Sequence, residues 1–154
     1  MASPAIPGCS TRATLQLVGP TSWTEVSASF RYDAGDPFAV RIRFGGRPGA
    51  DDDRDAGDGV EWLVARDLLR AGLGHPSGHG DIRLWPARTS GDVLFLELRA
   101  PSGNALFELS RALLAGFLAD TDRLVPCGDE SDAVDIEPEL VALLRCERPD
   151  ADGR

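Results

Sequence analysis

Residues 25–32 read EVSASFRY, and polar and apolar side chains alternate through all of them. Val26, Ala28, Phe30 and Tyr32 fall on one side, and Glu25, Ser27, Ser29 and Arg31 on the other. Side chains of an extended chain point alternately to opposite faces, so this period of two fits a half-buried strand and not a helix. The pattern returns at 40–44, where Val40, Ile42 and Phe44 oppose Arg41 and Arg43. Between the two lies DAGDP at 33–37, where Gly35 is expected to take a positive φ and Pro37 to restart an extended segment. The three segments together predict a hairpin with arginines on its outer face.

The rest of the chain extends this reading. Leu15 and Leu17 mark a short strand, and strands are expected at 60–64, 82–85, 93–99 and 105–109. The segment 93–99 is apolar on both faces at its centre, as a central strand would be. Helical spacing follows two of these strands. From Ala65 it runs through Leu68, Leu69 and Leu73, with Gly72 and Gly74 read as the helix end. Ser110 is placed to cap a helix over 111–121, with Leu113, Leu114, Phe117 and Leu118 on one face. A last helix is capped by Asp135 and carries Pro138 in its first turn. The stretches 74–80 and 128–132 read as loops.

One internal echo stands out. VEWLVARDLLRAGL at 60–73 aligns with ALFELSRALLAGFL at 105–118, matching Arg66 to Arg111, Leu68 to Leu113 and Leu69 to Leu114. Duplication and convergence of two amphipathic strand–helix units explain it equally well. The expected fold is α+β: antiparallel sheets with helices in a duplicated strand–helix arrangement, plus a C-terminal helix. One domain is expected over 13–146. A flexible arm should precede it at 1–12, a polar tail should follow at 147–154, and the acidic run 45–59 should be a mobile loop.

Charge narrows the function. The net charge is −9, and all sixteen basic residues are arginine. Nucleic-acid binding draws much of its free energy from basic groups that displace counterions, so a chain this acidic is poorly suited to it unless arginines cluster. Without lysine, Schiff-base chemistry and a lysine-dependent phosphate loop are excluded. No apolar run reaches the roughly 20 residues that span a bilayer. The N-terminus lacks a basic segment followed by an apolar one, so a cytoplasmic location is expected. Cys9, Cys127 and Cys146 form no CxxC pair, which excludes zinc ribbons and dithiol redox motifs.

Two segments hold candidate ligands. Asp51, Asp53 and Asp55 alternate as in a calcium loop, but Ala56 stands where the turn needs glycine and Trp62 where a bidentate carboxylate is needed. His75 and His79 sit among Pro76, Gly78 and Gly80 without further ligands at metal spacing. No catalytic residue, metal or cofactor is therefore assigned. The remaining chemistry is that of a surface. Arg41 and Arg43 share one strand face, and Arg83 and Trp85 share another; these four are nominated as a protein-interaction surface. Arginine beside an aromatic could also stack on single-stranded bases, which keeps a nucleic-acid-binding alternative.

Four segments carry a family resemblance. RYDAGDPFAV (31–40), VEWLVARDLL (60–69), GHGDIRLWPAR (78–88) and FLADTDRLVPCGDES (117–131), in this order and spacing, resemble the SsgA-like proteins of sporulating actinomycetes. The similarity covers about residues 14–145. It implies a non-catalytic protein of sporulation-specific cell division and cell-wall remodelling, recruited to division septa. It further implies a Whirly-like fold, a homotrimer, and partners such as the division protein FtsZ and a second family member. The run 45–59 is longer and more acidic than the division-site member leads one to expect.

Overall fold

The alternating segment at 25–32 lies within the second strand of one antiparallel sheet. A computed structural model describes residues 7–45, 60–89 and 91–133. Within them the chain runs β1 (Gly8–Val18), β2 (Trp23–Asp33), β3 (Ala39–Phe44), β4 (Val60–Ala65), α1 (Arg66–Gly72), β5 (Ser77–His79), β6 (Ile82–Pro86), β7 (Val93–Ala100), β8 (Gly103–Ser110), α2 (Arg111–Leu124) and α3 (Glu130–Ala133). The eight strands are ordered β4-β3-β2-β1-β8-β7-β6-β5. The α+β reading holds at this level: an antiparallel sheet with helices on it. β4 runs directly into α1, and β8 directly into α2.

The sheet has a narrow seam. β1 pairs with β2 from Gly8↔Asp33 to Val18↔Trp23, but meets β8 only at Gln16↔Glu108 and Leu17↔Phe107. Phe44 on β3 and Phe107 on β8 nevertheless stack with ring centroids 4.8 Å apart. Three strand spacings, about 14 Å in a flat sheet, separate those strands. The sheet therefore curls toward its apolar face at the seam, and the core lies inside the curl. Leu15, Phe30, Val40, Ile42, Leu84, Leu94 and Leu114 are fully buried there, each stabilising the fold by about 1.5–3 kcal/mol. Both longer helices pack on this inner face. Phe117 of α2 meets Phe30 at 5.8 Å, and Gly72 of α1 abuts Leu84.

Local chemistry explains where α2 begins. Ser110 Oγ accepts from Leu113 N at 3.2 Å and donates to Asp92 Oδ2 at 3.0 Å. Asp92 Oδ1 accepts from Ala112 N at 2.9 Å. Two of the free N–H groups of the first turn are thus satisfied. The helix continues past the expected end at 121 to Leu124; inside it Thr121 Oγ1 donates to Leu118 O at 2.7 Å.

Several expectations are corrected. Residues 8–12, read as part of a flexible arm, are strand. Their register with β2 is continuous, and Ala34 N donates to Pro7 O at 2.8 Å, so backbone pairing holds a segment whose side chains show no clear pattern. Residues 77–79, read as loop, form β5 against β6. Gly35 does not have a positive φ; the turn closes through Asp36 N to Asp33 O at 3.0 Å, and Tyr32 Oη donates to Pro37 O at 3.0 Å. The helix ends at Gly72 as expected, but without a left-handed glycine cap: the cap residue is Leu73 in ordinary helical geometry. The role of Gly72 is packing, since a Cβ there would fall 2.4 Å from Leu84 Cδ2. The acidic stretch 128–132, read as loop, contains most of the short helix α3, and its Glu130 is buried. The run 46–59 with its aspartates, the helix expected from Asp135, and the tail 147–154 lie outside the described residues.

Candidate interaction surface

Because α1 and α2 cover the inner face, the outer face of the sheet is left bare by them. Residues paired across antiparallel strands point to the same side, so the register fixes what that face carries. Arg41 pairs with Arg31 and Leu63, and Arg43 with Ser29 and Glu61. On the other half, Arg83 pairs with Glu97, and Trp85 with Phe95. Phe95 pairs in turn with Glu108, which pairs with Gln16 of β1. All four nominated residues therefore lie on one face, opposite the core.

They do not form one patch. Five strand spacings, about 24 Å along the sheet, separate β3 from β6, and the curl at the seam turns the two halves away from each other. Arg41 and Arg43 border a small depression with Ser10, Ser29, Arg31 and Glu61. Leu63 projects beside them at 59% exposure, an apolar neighbour for the cations. Arg83 and Trp85 line a separate open groove of about 490 Å³ with Ser77, Gly78, Glu97 and Arg99. In it Trp85 is half-buried against Phe95, ring centroids 5.9 Å apart, and Arg99 Nη2 lies 3.3 Å from Glu97 Oε1.

The residue that composition and spacing leave unremarked is Arg66. The sequence echo aligns it with Arg111, yet their environments differ. Arg111 is exposed, and its Nε donates to Leu73 O at 2.9 Å, tying α2 to the end of α1. Arg66 is 1% exposed. Its Nη1 donates to Val125 O at 2.8 Å and Thr121 Oγ1 at 3.3 Å, and its Nη2 to Glu130 Oε1 at 2.6 Å. Its guanidinium lies 5.0 Å from the centroid of the Tyr32 ring. Glu130 Oε2 accepts from Gly128 N at 3.0 Å. The bond from Arg66 holds the Glu130 carboxyl below its ordinary pKa, with help from the backbone. Nearby, Arg70 grips Asp122 with two bonds of 2.9 and 2.7 Å. The cluster joins α1, α2 and α3. The internal echo and the VEWLVARDLL motif both include Arg66, but neither says that the arginine is buried.

Burial, followed by the carboxylates of Asp120 and Asp33, pushes the Cys9 thiol up, the wrong direction for a nucleophilic thiolate. Burial also raises the Tyr32 phenol, against the opposing pull of Arg66. His75 is exposed, with Nδ1 3.2 Å from the Pro76 carbonyl oxygen. Among the described residues, no three His, Cys, Asp or Glu side chains gather as metal ligands would, and no helix is long and apolar enough to cross a membrane.

Comparison with known proteins agrees with the resemblance. Residues 26–130 match the family model described as Streptomyces sporulation and cell division protein, SsgA. The sporulation-specific cell division protein SsgB of Frankia casuarinae is 44% identical over 120 residues, covering 77% of this chain and 78% of that one. SsgB of Salinispora tropica is 41% identical over 133 residues, 85% of this chain and 89% of the relative. An SsgA-like sporulation-specific cell division protein from Thermobifida fusca has a solved structure with a TM-score of 0.73 at 33% identity, covering 92% of this chain and 99% of that one. A second solved structure, reported with mutations in SsgB that correlate to longitudinal cell division during sporulation of Streptomyces coelicolor, gives 0.72 at 39% identity, covering 86% and 99%. The motifs, the sheet and these relatives agree, and the chain belongs to the SsgA family of sporulation and cell division proteins.

Proposed function

We propose that this protein is a non-catalytic adaptor in sporulation-specific cell division, and that it works by docking other division or cell-wall proteins on the outer face of its sheet. The observation that carries this reading is the division of labour between the faces. The helices cover the inner face, while Arg41, Arg43, Arg83 and Trp85 project from the other. Its relatives' names place them in sporulation-specific cell division. The same reading includes a homotrimer on a Whirly-like scaffold, recruited to septa from the cytoplasm, with FtsZ and another family member as partners. The two successive strand–helix units support such a scaffold.

A single-stranded nucleic-acid role draws on one observation, the arginines beside Trp85, and is opposed by the net charge of −9. Oligonucleotide binding at low salt, where electrostatics are strongest, is the result that would favour it.

The test of the leading reading has two arms. Deletion of the coding sequence should alter sporulation septa or spore-wall assembly, and normal septation and spores would sink the adaptor role. The double substitution Arg41→Glu, Arg43→Glu should weaken recovery of the partner in pull-downs several-fold with no change in thermal unfolding. Unchanged recovery would remove that half of the face from the interface.

A further inference from the structure

The groove at β5, β6 and β7 has the makings of a specific binding site. Its floor is the half-buried Trp85, supported from beside by Phe95 at 5.9 Å. An aromatic face backed by another ring is rigid and costs little conformational entropy on binding. Arg83 and Arg99 stand on the same face as Trp85, on neighbouring strands. Arg83 is exposed, and among the described residues its side chain makes no hydrogen bond or ion pair, so its donors are available to a ligand. Arg99 is fixed from one side by Glu97 at 3.3 Å and is 45% exposed, leaving further N–H groups for a second acceptor.

The wall is built to stay open. Gly78 of β5 has φ +144°, and a Cβ there would lie 2.1 Å from Ile82 O. Only glycine fits, and it brings a bare stretch of backbone to the groove edge. Among the described residues β5, three residues long, is the last strand of the sheet. The volume of about 490 Å³ suits a few residues of a polypeptide.

We infer that this groove receives a short acidic segment of a partner polypeptide, its carboxylates on Arg83 and Arg99 and an adjacent apolar side chain on Trp85. Planar guanidinium groups pair with carboxylates in two-bonded geometry. Two arginines, one already shared with Glu97, match one or two carboxylates far better than the many phosphates of a nucleic-acid strand. The inference rests on the adaptor reading and names the chemistry of the partner at one half of the face.

A random dodecapeptide display library, panned on the full chain, tests it. Selected peptides should be enriched in Asp and Glu beside an apolar residue. Synthetic copies should bind the protein saturably in fluorescence polarisation. Arg83→Gln with Arg99→Gln should weaken that binding at least tenfold with an unfolding temperature close to that of the unmodified chain, and Trp85→Phe, which keeps a ring on Phe95, should weaken it as well. Arg123→Gln, an exposed residue of α2 away from the groove, should leave it unchanged. Peptides without acidic bias, or equal binding by the Arg83/Arg99 variant, would overturn the proposal. So would a twelve-residue oligo-dT that binds more tightly than the peptides and displaces them, which would assign the groove to nucleic acid. If instead the intact chain recovers its division partner and the Arg83/Arg99 variant recovers it equally well, the groove proposal fails while the adaptor reading stands.

Discussion

Arg66 Nη2 donates to Glu130 Oε1 at 2.6 Å, across 64 residues of sequence. The bond draws the short helix α3 onto the junction of α1 and α2 and places the guanidinium beside the Tyr32 ring. A charge this deep is tolerated because Val125 O, Thr121 Oγ1 and Glu130 surround it. Its Nε has no partner among the described residues, so the cation is held by its two terminal nitrogens.

Removing the cation should be costly. Arg66→Ala leaves a cavity and strips partners from the Val125 carbonyl and Thr121. Buried ion pairs broken from one side typically lose about 3–5 kcal/mol. For a domain of this size that corresponds to a fall in Tm of roughly 6–20 °C, measured by circular dichroism. A loss within about 1 kcal/mol would mean that the cluster contributes little to stability.

Glu130 gives the cluster a pH dependence of known sign. Its folded pKa lies below the ordinary 4.5 because the ionised form accepts from Arg66. The stabilisation is therefore fully present above about pH 4.5 and disappears as the pH falls through the lower folded value. Urea unfolding from pH 7 down to pH 3 should show stability falling in the acid range, and Glu130→Gln should flatten part of that fall. Identical pH profiles for the two proteins would contradict the arrangement.

The contact of Gly72 with Leu84 predicts that a better helix former will do harm. Gly72→Ala gains up to about 1 kcal/mol of helix propensity. It also drives a methyl group into Leu84, with Cδ2, Cγ and Cβ all within 2.8 Å of the added carbon. Overpacking of this kind costs about 1–3 kcal/mol, so the net change should be destabilising. A double-mutant cycle with Leu84→Ala should show strong coupling, since the smaller side chain vacates the space that the methyl group needs. Additive effects would show that the helix and β6 are not in tight contact.

Much of the sheet was legible because a strand writes its two faces into alternate residues. Phe30, Tyr32, Val40, Ile42 and Phe44 are all in the core, as the period of two requires, and Arg41 and Arg43 are on the opposite face. Ser110 was legible as a cap because its hydroxyl acts on the backbone three residues away. Three features escaped. Strand pairing at 8–12 is a property of the backbone and of its neighbour β2. The packing role of Gly72 depends on Leu84 in another strand. The burial of Arg66 depends on Tyr32, Thr121, Val125 and Glu130, which converge only after the chain has folded.

The antiparallel α+β class, most strand identities, the cap of α2 and the family are thus written in the linear order of residues, since all of these rest on patterns within short stretches of chain. The tertiary structure alone decided the curl of the sheet at Leu17 and Phe107, the separation of Arg41 and Arg43 from Arg83 and Trp85, and the buried setting of Arg66. Each depends on distances between residues far apart in the chain, set by hydrogen-bond register and by the closure of the core.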